Sequence, residues 1–418
     1  MRILFCNYEY PPLGGGGGVV MAAIARELAR RHEVTVLSSQ ACGLPSESLE
    51  AGVRVVRVPV LFRSQLAVAN FPSMAAYLPT GAWRGLQLAR QKPFDLINTH
   101  FVVPTGPLGH FLARRLAVPN VLSVHGGDLY DPSKSSSPHR HALLRRAVAY
   151  LLRRADAVVA QSRDTAANVE RIYGVRRTIE RVPLGIERPP ALAEASALTS
   201  AQRRAAFGIP EKAVVLVTIG RVVARKASEQ LPRMLAAVGR SDLYLLVVGD
   251  GPRLPAVRSI AAELGVADRI RFLGQVTQAE KLSALAASDL FVSTSQHEGF
   301  GLVFLEAMAF GLPVVCYDRG GQTDFLSTPA TGCVVRLNDL AAFTAAVREL
   351  AASPERRAAI GRQNLAAVEE FFVDRCAERY EAIFERVLRE RTERRTRAPT
   401  SEAPALSRAT SSKADPEI

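Results

Sequence analysis

The sequence predicts an α/β protein built from two doubly wound domains, and three observations predict it. Short apolar runs alternate with longer stretches of helical period through the first half of the chain; the alternation breaks near the middle; it then restarts over a segment of similar size. Strands separated by helices pair in parallel through right-handed crossovers, which is the doubly wound arrangement. At 418 residues the chain also exceeds one ordinary domain.

In the first half, strands are expected over residues 2–6, 33–38, 53–58, 95–99, 121–124, 157–160 and 179–182. Helical spacing, with apolar residues at three- and four-residue steps, marks 19–31, 106–116 and 140–154. Residues 189–212 turn to Ala, Ser, Pro and polar side chains and are expected to connect the domains, with a short helix over 199–207. Strands then resume over 214–218, 243–248, 270–273, 290–293, 314–317 and 334–336. Helices are expected over 228–238, 252–264, 278–287, 302–310, 339–352 and 354–371. The domain expectation is 1–188, a connection 189–212, a second domain 213–372, and a C-terminal helix 373–391. Residues 392–418, rich in Ser, Thr, Pro and charge, are expected to be a disordered basic tail, because they bury too little apolar surface to offset the entropy of ordering.

Composition narrows the class. Hydrophobic residues make up 48% and charged residues 22%, enough to build large cores. The five cysteines (Cys6, Cys42, Cys316, Cys333, Cys376) are scattered and lack C-x-x-C spacing, which fits a reducing compartment and argues against a disulfide framework or a zinc site. The chain opens directly into a strand-like run, so no signal peptide is expected. The most membrane-like window, 299–317, is cut by Gly311-Leu312-Pro313 into pieces too short to span a bilayer. The net charge of +13 suits nucleic acid, an anionic membrane or phosphate-bearing ligands, and alone does not choose among them. Aromatic residues are only 6%, too sparse for single-strand stacking platforms, so no nucleic-acid partner is expected.

Three motifs carry chemistry. The run Gly14–Gly18 follows the first strand and opens the first helix, where a backbone turn brings amides close to an anion. It lacks both G-x-G-x-x-G and G-K-[ST], so a nicotinamide or P-loop site is unsupported, and a flexible turn is the plain alternative. Gly220-Arg221 and Arg225-Lys226 follow the first strand of the second half. Ligands of open α/β sheets bind beyond the carboxyl ends of the strands, so Arg221 and Lys226 are placed to neutralise a diphosphate; a solvated basic loop is the alternative. The third motif, S-Q-H-E-G-F-G-L-V-F-L-E-A-M-A over 295–309, puts Glu298 and Glu306 either side of a glycine turn. Glu306 lies among apolar residues, where a bare carboxylate is costly unless it is paired or hydrogen-bonded. A polyhydroxylated ligand supplies such donors; a structural ion pair is the competing explanation.

Taken in order, Y-P-P-L-G-G-G-G-G, S-V-H-G-G-D, V-P-L-G-I-E, G-R-V-V-A-R-K, V-V-G-D-G-P, F-L-G and the E-x7-E element before A-M-A-F-G-L-P-V-V resemble the retaining glycosyltransferases of family four, over about residues 1–390. The resemblance implies the GT-B architecture, two Rossmann-like domains facing across a donor-binding cleft. It implies hexose transfer from a nucleoside-diphosphate sugar, a co-substrate rather than a cofactor, to a glycan or lipid-linked acceptor, with no cofactor and no metal. By matching position, Arg221 and Lys226 would hold the diphosphate and Glu306 the ribose hydroxyls. Glu298 would contact the hexose, the backbone of Phe300, Gly301 and Leu302 would face sugar and phosphate, and Gly15 and Gly16 match the family's glycine pair. His125 would sit beside the reacting sugar. The chain departs from the family at Ala227 and Leu184, where Gly and Asn are common, and at Asp324, where Glu is common.

A nucleotide-sugar epimerase, a phosphorylase, or a non-catalytic binding protein on the same scaffold remain alternatives. The segment 139–154 pairs Arg145-Arg146 and Arg153-Arg154 with apolar residues. It reads either as a peripheral contact with an anionic membrane or as an ordinary amphipathic crossover helix. The expected location is cytoplasmic, at the inner membrane face if the contact holds.

Overall fold

The computed structural model describes residues 1–41, 43–63, 70–131, 134–189 and 199–397. Two sheets organise them. The first has eight strands: β1 (Arg2–Cys6), β2 (Glu33–Ser39), β3 (Glu47–Glu50), β4 (Val53–Val58), β5 (Leu96–His100), β6 (Asn120–Val124), β7 (Ala157–Ala160) and β8 (Glu180–Arg181). Their order is β3-β4-β2-β1-β5-β6-β7-β8, parallel except for the β3–β4 pair. Helices α1 (Gly16–Ala29), α2 (Phe71–Gln91), α3 (Gly106–Leu116), α4 (Ala142–Arg154) and α5 (Arg163–Tyr173) form its crossovers.

After α6 (Ser200–Ala206), the second sheet is built from β9 (Val214–Ile219), β10 (Leu243–Val248), β11 (Ile270–Gly274), β12 (Leu290–Ser293), β13 (Val314–Tyr317) and β14 (Gly332–Val335). All pair in parallel, in the order β11-β10-β9-β12-β13-β14. The connecting helices are α7 (Gln230–Val238), α8 (Leu254–Glu263), α9 (Gln278–Ala286), α10 (Leu302–Ala309) and α11 (Leu340–Ala352), followed by α12 (Pro354–Ala367) and α13 (Val373–Arg397). Strand order reverses between β1 and β5 in one sheet and between β9 and β12 in the other. Those reversals open the crevices in which α/β sheets bind ligands.

The strands read as near-continuous Val, Ile and Leu because both faces of each parallel sheet are covered by helices. Three elements fall outside the expected ranges, α5 among them. Strand β3 is a short, half-exposed, polar antiparallel edge. Helix α2 carries Pro79 inside it and two glycines, Gly81 and Gly85, where any Cβ would run into Leu108 and Leu112 of α3 at 2.7 Å. The small residues there let two helices pack closely.

The chain passes between lobes twice, at 185–188 and at 372–373, and the crossings bond to each other: Ile186 N donates to Phe371 O and Val373 N to Ile186 O, both at 2.9 Å. Helix α13 then returns to the first lobe. Cys376, Ala377, Tyr380 and Phe384 join its core, and Tyr380 Oη bonds Ser123 Oγ at 3.1 Å. The helix continues to Arg397, which corrects the expected tail start at 392. Glutamates one turn from arginines, such as Glu390 beside Arg386 and Arg394, favour that extension. Residues 398–418, Cys42 and the 190–198 part of the expected connection lie outside the described residues. Cys6, Cys316, Cys333 and Cys376 are buried free thiols. Among the described residues, no helix is long and apolar enough to cross a membrane.

Candidate active site

The cleft lies where the carboxyl ends of the two sheets face each other. From the second lobe, β9 runs into Gly220-Arg221 and a 3₁₀ turn over Ala224–Lys226. Thr294 Oγ1 ties this turn to the end of β12 by donating to the Lys226 and Ala227 carbonyls at 3.1 and 3.0 Å. Lys226 Nζ is thereby held in direct contact with Glu298 Oε1. Arg225 adds a second cation 3.5 Å from Glu298 Oε2 and donates to His297 O at 3.0 Å. The Glu298 side chain is only 8% exposed. Burial pushes its pKa up, but the Lys226 and Arg225 charges outweigh that and hold the carboxyl below its usual range. Arg221 is exposed; its carbonyl accepts from Val223 N at 3.0 Å, and its guanidinium makes no ion pair among the described residues. Ala227, the family's glycine position, has φ 45° and ψ 37°. This left-handed conformation is strained for alanine.

Glu298 opens the turn into α10. Its carbonyl accepts from Gly321 N at 2.9 Å, and Phe300 is buried. Gly301, with φ +95°, caps α10 and accepts from Phe304 N at 3.0 Å, so the amides of Leu302 and Val303 are the ones without an acceptor in the helix. One turn further along α10 stands Glu306. Lys281 of α9 donates to its Oε1 at 2.7 Å, while Oε2 is buried without a partner. The ion pair and the unmet acceptor therefore coexist on one carboxylate. Glu306 and Lys281 line a cavity of about 490 Å³ between the lobes, closed on the other side by Val19 and Ala23 of α1 and by Gly185–Pro189. No ion pair links Glu306 to Arg221 or Lys226 among the described residues. The two glutamates thus serve adjoining compartments, Glu298 beside the basic loop and Glu306 in the larger cavity.

From the first lobe, the glycine run meets α10. Gly15 caps α1 and its N–H donates to Glu9 Oε2 at 3.3 Å. A Cβ on Gly16 would lie 3.8 Å from Leu302 Cδ1 across the cleft, whereas one on Gly17 would strike Phe101 at 2.4 Å. Phe101, at φ 67°, is a strained residue that stacks on His125 with ring centroids 4.3 Å apart. His125 follows β6. Its N–H donates to Asp128 Oδ1 at 2.9 Å and its carbonyl accepts from Gln161 Nε2 at 2.8 Å. Burial lowers its pKa to about 4. A Cβ built on Gly299 would approach the His125 carbonyl to 3.1 Å, so the histidine lies at the seam between lobes.

Further contacts close that seam. Ser162 Oγ donates to Gly299 O at 3.2 Å. Asp324, the shorter residue at the family's glutamate position, accepts from Arg163 N at 2.7 Å and Arg163 Nε at 3.0 Å, at the start of α5. Sequence reasoning found the motif residues and missed Lys281, Phe101, His100, Gln161 and Arg163. Only Lys281 left a trace, as one of the rare lysines of an arginine-rich chain.

Known proteins resemble the chain in family and in fold. Residues 14–188 match the family described as Glycosyltransferase Family 4, and residues 200–365 match Glycosyl transferases group 1. A GDP-mannose-dependent alpha-(1-6)-phosphatidylinositol monomannoside mannosyltransferase of Mycolicibacterium smegmatis is 30% identical over 371 residues, covering 86% of this chain and 91% of the relative. A 2-deoxystreptamine N-acetyl-D-glucosaminyltransferase of Streptomyces fradiae is 31% identical over 364 residues, 82% of this chain and 84% of the relative. In fold, the chain is similar to sucrose-phosphate synthase from Thermosynechococcus elongatus (TM-score 0.77, 20% identity, 93% of this chain and 100% of that one). It is also similar to Anabaena HepE in complex with UDP (TM-score 0.72, 19% identity, 92% and 100%).

Proposed function

Because the chain belongs to glycosyltransferase family four, with its GT-B fold and nucleotide-sugar dependence, we propose that it transfers a hexose, with retention and without a metal ion, to a glycan or lipid-linked acceptor. The observation that carries this reading is the Lys226–Glu298 pair beside Arg221, at the sheet reversal that faces Gly15, Gly16 and His125. Arg221, Lys226 and the amides at Gly301 and Leu302 receive the diphosphate, and Glu306 receives the ribose through Oε2. Glu298 and the Phe300 backbone meet the hexose, with His125 on its other side.

In the reaction, the bond from the anomeric carbon to the diphosphate oxygen breaks and its electron pair goes to that oxygen. Arg221, Lys226 and the positive end of α10 stabilise the growing charge electrostatically. This is the work a divalent ion does in other transferases. The acceptor hydroxyl attacks from the face the diphosphate leaves and gives its proton to the departing phosphate oxygen, so configuration is kept. No carboxylate is placed as a covalent nucleophile in this scheme, since Glu298 is committed to Lys226 and Arg225.

GDP-mannose and UDP-sugars are the first donors to try, since relatives carry those names. Thermal-shift titration with GDP, UDP and ADP, followed by incubation with the matching sugars and glycan or lipid acceptors, tests the reading. An α-linked product from an α-linked donor, formed in the presence of EDTA, is expected. An inverted linkage refutes retention, and loss of activity in EDTA refutes metal independence. Conversion of the donor alone, or only with added phosphate, points to an epimerase or a phosphorylase.

A second proposal concerns location, at the cytoplasmic face of an anionic membrane. On α4, Leu143 is 78% exposed beside exposed Leu144, Arg145 and Arg146, with Tyr150, Arg153 and Arg154 further along. Apolar side chains flanked by arginines suit an acidic lipid surface. Flotation with anionic but not neutral liposomes is expected, and its loss in Leu143→Ser/Arg146→Ser checks it.

A further inference from the structure

We infer that Asn98 and His100 are positioning residues that fix His125 as the neutral Nε2–H tautomer, so that its Nδ1 presents an acceptor to a hydroxyl of the bound sugar or acceptor. The structural half of this stands alone; the choice of ligand rests on the transferase reading above.

The relay begins at a group whose polarity is not in doubt. Asn98 Nδ2 lies 2.9 Å from Val121 O and 3.1 Å from Ser123 Oγ. A backbone carbonyl only accepts, so the amide nitrogen must face it and Oδ1 must point the other way. Oδ1 is 2.7 Å from His100 Nε2, and an amide oxygen only accepts, so His100 Nε2 carries a proton. His100 is fully buried, stacked on Phe5 at 5.5 Å and flanked by Tyr380 at 6.0 Å. Burial and the neighbouring His125 hold it neutral, well below the usual histidine range. Its Nδ1 is then a lone pair, 2.9 Å from His125 Nε2, which must donate. A neutral His125 that donates from Nε2 has its remaining lone pair on Nδ1.

By geometry that Nδ1 is buried without a hydrogen-bond partner, although the Gln161 side chain lies close enough to the ring to oppose part of the effect of burial on its pKa. The nearby carboxylate, Asp128, is already engaged by the Val102 and His125 amides at 2.7 and 2.9 Å. Buried polar atoms are nearly always paired, and an unpaired one in a cleft marks a group that a ligand satisfies. The ring faces Phe101, which in turn meets the glycine run, and its backbone meets Gly299 at the seam. A hydroxyl held there finds an acceptor and no competing charge. Sequence spacing gives no hint of the relay, because Asn98 and His100 alternate on one buried strand and His125 comes from the next.

Long-range proton–nitrogen correlation spectra of the full chain, labelled at histidine nitrogens, test it directly, with His125→Gln supplying the assignment. Near neutral pH, His100 and His125 are both expected as Nε2–H tautomers. The His125 Nδ1 resonance is expected to shift when a nucleotide-sugar is added with acceptor, and not with the nucleoside diphosphate alone. An Nδ1–H tautomer or an imidazolium at His125 overturns the relay even if transfer activity is normal; the expected tautomers without turnover of any nucleotide-sugar overturn the transferase reading and leave the relay standing. In kinetics, Asn98→Asp lets His100 hold a second proton and donate towards His125, reversing its polarity. We expect kcat to fall about tenfold, the scale of one lost hydrogen bond, with donor KM within about threefold. Equal changes in kcat and KM, or an unchanged kcat in a folded variant whose tautomer is reversed, refute the link to substrate.

Discussion

Replacing Glu306 tests the donor site most directly, because its two oxygens have different employment. Oε1 is held by Lys281 Nζ at 2.7 Å, and Oε2 is buried with no partner. On the proposed assignment, a ribose hydroxyl gains a charge-assisted hydrogen bond at Oε2 without displacing Lys281. Removing that bond by Glu306→Ala costs about 1.5–3 kcal/mol of binding, or roughly 10- to 150-fold in Kd. The fold should lose less. Both side chains of the ion pair are about one fifth exposed, so solvent screening limits the structural penalty to about 1 kcal/mol. Calorimetric titration of GDP and UDP reads the affinity, and urea unfolding reads the stability. Lys281→Met separates the partners: it should leave affinity within about threefold, since it removes the neighbour and not the acceptor. If Glu306→Ala binds nucleotide within twofold of the parent, or if Lys281→Met reproduces its whole loss, the assignment of Oε2 to the donor is wrong.

Three further outcomes are expected. Lys226→Met leaves Glu298 with Arg225 at 3.5 Å as its remaining cation, and should destabilise the protein by about 2–4 kcal/mol in urea unfolding; adding Glu298→Gln should restore at least half of that, and no recovery would show that the pair is not the cause. Ala227→Gly relieves a left-handed alanine but loosens the unfolded chain, so a net gain of about 0.5 kcal/mol and a small rise in Tm are expected; a fall would contradict the strain. Burial lowers the His125 pKa to about 4, from the ordinary histidine value near 6.5. A depressed folded value means its stabilising contribution is present above pH 6.5 and lost as pH falls towards 4, by up to about 3 kcal/mol. Unfolding free energies of the parent and His125→Gln between pH 7 and 4.5 should diverge in that direction, the parent falling faster; parallel curves would mean the histidine is not held neutral by burial.

Much of the architecture was legible in the sequence, because a parallel strand covered on both faces has to be apolar throughout. The runs that became β7, β10, β12 and β13 were legible for that reason. Elements whose stability is not written in their own period were lost: β3 is polar, and α2 contains the residues that usually break a helix. The site was legible where one segment carries it, as from Glu298 to Glu306. It was opaque where its parts meet only in three dimensions. Nothing in A-E-K-L says that Lys281 turns towards Glu306. For Glu306 an ion pair and a ligand were rival expectations; the ion pair to Lys281 is present, and the second oxygen is buried and unmet. Likewise Asp324 looked like a departure from the family, yet it reaches Arg163 on the other lobe.

The doubled crossing near Ile186 and Phe372 has a mechanical consequence. A single tether lets one body swivel about bonds in every direction, whereas two tethers laced side by side act as a door with two pins. Here the pins are stitched by reciprocal amide bonds, and Gly185 sits so close to Val373 that any side chain would collide, at 2.6 Å. Any bend at this crossing therefore has to carry both strands together, because neither can move without breaking the amide bonds to the other.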